Sequence, residues 1–207
     1  MKKEGLMKLR YSATSPYVRK VMITAIETGQ DSVLECIPTN PWAPETDLPR
    51  NNPLGKVPAL VVDEGLTLFD SPVICEYLCS RVGASLVPKE GFDRWRVLCL
   101  EALCDGICDS AVLCVLENKR PEEIRKQDWI ERQKRAIARA EDSLEEAVVD
   151  WGDELTLGQI SAGAALGYVD FRLPDVDWRS SRPRLAKWYE GFSQRPSMKQ
   201  TVPIEPR

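Results

Sequence analysis

Histidine is absent from all 207 residues of the chain. That absence removes Ser-His-Asp and Cys-His nucleophilic catalysis, along with the commonest metal ligand. Chemistry here must come from hydroxyls, thiols, carboxylates, backbone amides or a bound small molecule. A long basic run is also missing and the formal net charge is −4, so the chain lacks the footprint of a nucleic-acid binder. No apolar stretch reaches the length of a membrane span. The opening Met1-Lys2-Lys3-Glu4-Gly5-Leu6 is charged and lacks the apolar block of a secretory signal. A cytoplasmic protein with no membrane partner is expected. Cys-x-x-Cys does not occur either. The seven cysteines (36, 75, 79, 99, 104, 108 and 114) are odd in number and sit in helical, apolar contexts. They read as reduced, mostly buried thiols rather than a disulfide framework. Cys75 with Cys79, and Cys104 with Cys108, are spaced to share a helix face. Without histidine these pairs are expected to be small core residues, and no metal is expected.

What is present fits a globular protein: 43% hydrophobic and 29% charged residues, in a length that suits one large domain or two small ones. Met7 to Tyr11 alternates as a first strand. Ser15-Pro16 opens a helix in which Val18, Val21, Met22, Ala25 and Ile26 recur at helical spacing, with Gly29 at its stop. A second strand is expected over 32–37. Five prolines between residues 38 and 56 make a long irregular connection. Strands over 58–62 and 66–69 flank a turn at Asp63-Glu64-Gly65. Asp70-Ser71-Pro72 then repeats the cap-and-proline opening, with Val73, Ile74, Tyr77, Leu78 and Val82 as the inner stripe and Gly83 as the stop. This is an α/β layer on a small mixed sheet.

Residues 85–91 read as a linker, and the pattern beyond is helical. Segment 92–117 is one long helix. Ile130, Gln133, Ile137, Ala140, Leu144 and Ala147 mark a second. Thr156 with Gln159 forms a capping box before an Ala- and Gly-rich helix over 160–171. Leu185, Trp188, Tyr189 and Phe192 mark a last helix, and a loose tail is expected from Pro196. The expected domains are therefore 7–84 and 92–195, with 196–207 as tail. The six tryptophans are scattered and read as packing or interface anchors.

The organising stretch is Asn52-Pro53-Leu54-Gly55-Lys56-Val57-Pro58-Ala59-Leu60. A proline is tolerated at a strand start and nowhere deeper in a sheet. Val57-Pro58 is the natural place for a cis turn, which would leave the Val57 backbone free to pair with an extended peptide. Each proline-opened helix presents unpaired N–H groups and the positive end of a macrodipole, making two candidate anion sites, one beside Ser15 and one beside Asp70 and Ser71. Together these would serve a short thiol peptide.

Ser15-Pro16-Tyr17-Val18-Arg19-Lys20-Val21, the 52–60 stretch and Phe69-Asp70-Ser71-Pro72, in that order, resemble the cytosolic glutathione S-transferase family. The similarity is to its small bacterial members with an S-P-[YF]-V-R-K opening and runs over about residues 7–195. The resemblance implies a thioredoxin-like N-terminal domain, an all-α helical-bundle C-terminal domain, a homodimer, and glutathione as co-substrate. It implies that Asp70 and Ser71 hold the γ-glutamyl end, that Val57 and Pro58 clamp the cysteinyl part, and that Lys56 reaches the glycine carboxylate. Ser15 would donate its hydroxyl to the thiolate, with Ser12 and Thr14 as rivals for that role. Tyr17, Cys104, Asp105 and Cys108 would edge the pocket for a small hydrophobic electrophile.

The physical task is to ionise a thiol whose free pKa is roughly 8.5. Each unit of depression corresponds to about 1.4 kcal/mol, and one hydroxyl donor with a helix N-terminus is of that order. No general base is needed. Relatives with cysteine at the Ser15 position carry out thiol–disulfide chemistry, which serine disfavours. Many relatives carry aspartate where Gln159 stands, a change expected to act on folding. Two other functions share this fold: a non-catalytic binding or regulatory module, and an isomerase or dehalogenase that uses glutathione catalytically.

Overall fold

Strand β1 (Met7–Tyr11) alternates as its sequence demands, with Met7 and Leu9 buried and Lys8 exposed. The structure, a computed structural model, describes residues 6–62 and 65–205. Helix α1 (Pro16–Glu27) begins where serine and proline place it. Ser15 is extended, at φ −82 and ψ 123, and its side chain accepts from the Val18 N–H at 3.3 Å. Gly29, at φ 68, lets the chain turn out of the helix.

The strand expected from residue 32 starts later. A short 3-10 turn over Asp31–Val33, with the Val33 N–H on the Gln30 carbonyl, reorients the chain first. Strand β2 (Leu34–Pro38) then pairs parallel to β1, Met7 opposite Leu34 and Tyr11 opposite Pro38. The proline-rich connection is irregular apart from a 3-10 turn at Leu48–Arg50 that buries Leu48. Strand β3 (Ala59–Val61) runs antiparallel to β1, and β4 (Thr67–Leu68) antiparallel to β3. The sheet order is β2-β1-β3-β4. Both last strands are shorter than expected, and β3 starts after Pro58, which has no N–H for the ladder. Of the expected turn, Asp63 and Glu64 lie outside the described residues, and Gly65 has φ 78.

Helix α2 (Ser71–Val82) ends at the left-handed Gly83. Its inner face differs from the expected stripe. Ile74, Cys75, Leu78 and Cys79 are buried, while Val73 and Val82 are exposed and Tyr77 is half-buried. Cys75 and Cys79, expected to be small core residues, supply half of that face. Burial pushes the Cys75 thiol up to about 12 and the Cys79 thiol to about 11, as inert core groups require.

The remainder is helical: α3 (Gly91–Asn118), α4 (Gln127–Ala147), α5 (Leu157–Arg172), α6 (Pro183–Phe192) and α7 (Pro196–Gln200). Both halves of the Thr156 capping box form. The Gln159 N–H reaches Thr156 Oγ1 at 3.3 Å, and the Thr156 N–H reaches Gln159 Oε1 at 2.8 Å. Helix α5 is buried from Leu157 to Val169, so its small residues set how closely neighbours approach. A Cβ at Gly167 would run into the Arg19 guanidinium and lie 2.8 Å from Tyr189 Oη. The tail is not loose as expected. Ser197 and Met198 of α7 are buried, and Met198 joins the core formed by the sheet, α1 and α2.

Candidate functional site

The ladder registers gather the candidate residues at one end of the sheet. Arg10 pairs with Ala59, so continuing antiparallel places Pro58 beside Tyr11 and Val57 beside Ser12. Leu60 pairs with Leu68, so the same continuation places Pro58 beside Asp70. β1 and β4 run in the same direction, each antiparallel to β3. Their C-terminal ends, and the openings of α1 and α2 that follow them, therefore lie at the same edge. Three adjacent strands span about 10 Å at ~4.8 Å per step, the length of an extended tripeptide at ~3.3 Å per residue.

At this edge Ser15 is half-buried and uses its oxygen to cap α1, which leaves the hydroxyl hydrogen to give elsewhere. Ser12 and Thr14 face each other at 3.4 Å between Oγ and Oγ1. The Val57–Pro58 peptide bond is cis, as is Phe69–Asp70. Val57 is half-buried, Lys56 exposed. Asp70, not Ser71, occupies the N-cap position of α2, and its side chain makes no capping bond. Ser71 is the first helical residue and is buried, whereas Asp70 is exposed. The sequence assigns no role to Asn52 of the motif. It is buried and spans the loop, donating from Nδ2 to the Lys56 carbonyl at 2.9 Å and accepting at Oδ1 from the Leu54 N–H at 3.0 Å. An asparagine before a proline was the signal that could have marked it.

Asp105, expected at the pocket edge, belongs to a line of carboxylates whose other members the sequence did not mark. Glu101, Asp105 and Asp109 recur every four residues on α3 and face α1. Lys20, almost fully buried, donates to Glu101 Oε1 at 3.0 Å and to Asp105 Oδ2 at 2.8 Å. Tyr17 donates to Asp109. Burial raises the pKa of both the Glu101 and Asp105 carboxyls, opposed by Lys20; Asp105 and Asp70 reinforce the rise at Glu101, and Asp109 and Asp70 the rise at Asp105. Burial by itself disfavours the Lys20 charge, but the Cys75 sulfur and the two carboxylates outweigh it and raise its pKa. Arg19, the other half of the Arg-Lys pair, lies across α5. It donates to the Met198 carbonyl at 3.2 Å, tying the C-terminal segment to α1. An amphipathic reading of α1 could not find these contacts, because both charged residues are buried.

The four residues expected to edge a second pocket separate. Tyr17 and Asp105 lie in the seam between α1 and α3. Cys104 and Cys108 are buried in the helical core with Ile137 and Trp178, and burial raises both thiols well above their usual pKa. Among the described residues, no group of three or more His, Cys, Asp or Glu could hold a metal ion. No helix among them is long and apolar enough to cross a membrane. A concavity of about 550 Å³ lies elsewhere, between α6 and the residues leading into α5.

Residues 14–81 match the family described as glutathione S-transferase, N-terminal domain, and residues 127–191 match glutathione S-transferase, C-terminal domain. YibF, an uncharacterized GST-like protein of Escherichia coli (strain K12), is 38% identical over 201 residues, 95% of this chain and 98% of its own. A glutathione transferase family member from Pseudomonas fluorescens Pf-5, solved with bound glutathione, superposes with a TM-score of 0.91 at 45% identity, over 96% of this chain and 100% of that one. A structure from the same organism with bound S-(propanoic acid)-glutathione gives 0.87 at 43%, with the same coverage.

Proposed function

The chain belongs to the glutathione S-transferase family, and we propose that it binds glutathione and transfers the thiolate to a small hydrophobic electrophile. The carrying observation is the shared sheet edge at which Ser12–Ser15, Val57–Pro58 and Asp70–Ser71 follow from the strand registers. In this reading Asp70 faces the γ-glutamyl ammonium, and Ser71 with the free N–H groups opening α2 faces its carboxylate. The Val57 backbone pairs with the cysteinyl residue, Pro58 fixes that strand end, and Lys56 reaches the glycine carboxylate. Ser15 donates to the sulfur. Its rivals Ser12 and Thr14 are turned toward each other, which favours Ser15.

The sulfur attacks the electrophile as an anion, so Ser15 and the α1 N-terminus act by making that anion cheaper to form at neutral pH. Tyr17 and Asp105, at the seam of the two domains, border the electrophile. Cys104 and Cys108 sit behind them in the core. Exposed Val73, Phe92 and Trp95 support a homodimer that covers them. The cytoplasm, where glutathione is the abundant thiol, is the proposed location.

The test is retention on immobilised glutathione together with the ultraviolet thiolate band of the bound tripeptide. Wild type should bind, and the band should titrate below the free-thiol pKa. Absence of the band, or its survival in Ser15→Ala, would overturn the catalytic assignment. Net glutathione consumption in turnover separates transfer from isomerisation, which consumes none.

A further inference from the structure

The irregular connection between β2 and β3 hangs on one guanidinium. Met7 and Leu9 of β1 point into the core, so Lys8 and Arg10 stand on the opposite face of the sheet. Ala59, the partner of Arg10 in the ladder, shares that face and is small enough to leave the longer side chain room beside it. Arg10 Nε donates to Thr39 Oγ1 at 2.9 Å and Nη1 to Asn51 Oδ1 at 3.1 Å, while Nη2 pairs with Asp47. Points spread over residues 39–51 thus meet on one fork. A planar guanidinium presents its donors in fixed directions, so the three acceptors are set relative to one another as well as to the strand.

What hangs from this fork is stiff. The Asn51 and Asn52 N–H groups both reach the Leu48 carbonyl at 2.9 Å, and Leu48 is fully buried. The Gly55 N–H returns to the Asn52 carbonyl at 2.8 Å. The Asn52 side chain then holds the Lys56 carbonyl and the Leu54 N–H. Position is thereby passed from Arg10 through Asn51 and Asn52 to Lys56. Val57 differs, because β3 enters the ladder two residues later, at Ala59, and fixes it from the other side. The charges divide in the same way. Arg10 is matched by Asp47, whereas Lys56 is exposed and makes no ion pair among the described residues.

We infer that Arg10 is a positioning residue: through the Asn51–Asn52 loop it aims Lys56 at the glycine carboxylate and so sets a preference for the full tripeptide over γ-glutamylcysteine. This rests on the glutathione reading above, and it involves neither Ser15 nor the reacting sulfur.

Calorimetric titration of the full chain with glutathione and with γ-glutamylcysteine, together with the ultraviolet thiolate band of each complex, is the test. Wild type should bind glutathione about ten-fold tighter than the dipeptide, the size of one contact to a charged group. Arg10→Met should weaken glutathione about ten-fold and leave γ-glutamylcysteine within about two-fold, with the thiolate band titrating as in wild type. Asn51→Ala, which leaves the strand untouched, should shift the preference in the same direction. The double variant should be no worse than Arg10→Met, since both changes cut one path. Should Arg10→Met not fold, Asn51→Ala decides alone. The inference is overturned if a folded variant keeps the wild-type preference, if both peptides weaken equally, if the thiolate band moves, or if the two changes add. Equal binding of the two peptides by wild type also overturns it. Wild type that binds neither peptide overturns the glutathione reading itself and this inference with it, a result distinct from all the others.

Discussion

Two helices in the N-terminal domain open with the same residues and end up held in opposite ways. Helix α1 satisfies its own first turn through Ser15 and is bolted sideways by buried charge: Lys20 to α3, Arg19 to the α7 segment. Helix α2 has no capping side chain, and its buried face of Ile74, Cys75, Leu78 and Cys79 carries no charge at all. The first is fixed by directional bonds and the second by apolar packing, with its opening N–H groups left for another partner. A cap-and-proline opening thus says where a helix begins, but not whether its N-terminus is occupied.

The strongest way to break the contrast is to remove the bolt. Lys20→Met leaves Glu101 and Asp105 buried without their cation, and breaking such a pair costs about 3–5 kcal/mol. The loss, measured by urea unfolding, should be largest at pH 7 and shrink as pH falls. Both carboxyls have raised pKa values, so they protonate early and shed the uncompensated charge. An equal loss at pH 5 and 7 would sink that account.

Next comes the occupied cap. Ser15→Ala should lower the transfer rate roughly 10²-fold, as removal of one donor to a developing anion does, while stability falls by only about 1 kcal/mol. A rate loss no larger than the stability loss would reduce Ser15 to a cap.

The empty N-terminus should respond differently. Ser71→Ala is expected to raise the KM for glutathione about ten-fold, the size of a hydrogen bond to a charged group, with kcat little changed. A fall in kcat with KM intact would assign Ser71 to the reacting centre instead.

The smallest effect lies away from both helices. Glu141 on α4 is fully buried with Arg182 3.4 Å away, and burial pushes its carboxyl up to about 7. Its folded pKa exceeds its unfolded one of roughly 4.3. Its contribution to stability is therefore fully present below that value and is lost as pH climbs through about 7. Glu141→Gln should flatten the stability profile between pH 5 and 8, and an unchanged slope would assign it to other groups.

Much of the frame was legible because local rules decide it. β1 starts and stops where its alternation does, Ser15 caps α1, Gly29 and Gly83 stop their helices, and the Thr156–Gln159 box closes. The failures have a common cause. The inner face of α2, the ordered tail around Met198 and the buried Arg19 and Lys20 all depend on which neighbour arrives. Cysteine at two of four inner positions and charge at two buried ones defeat a hydrophobic count, because a paired cation or a thiol is core only once its partner is in place.

What the chain's own order of residues settled was punctuation and chemistry. The lack of histidine rules out histidine-based catalysis, and the prolines, serines and glycines set where elements begin and end. Tertiary structure alone decided proximity. Residues 15, 57 and 71 are far apart in the chain and share an edge only through the β1–β3–β4 registers. The Lys20 pairing with Glu101 and Asp105 exists only because α3 packs on α1. Register and helix contact are long-range choices, made by burying apolar surface and satisfying buried charge together, and no local pattern carries them.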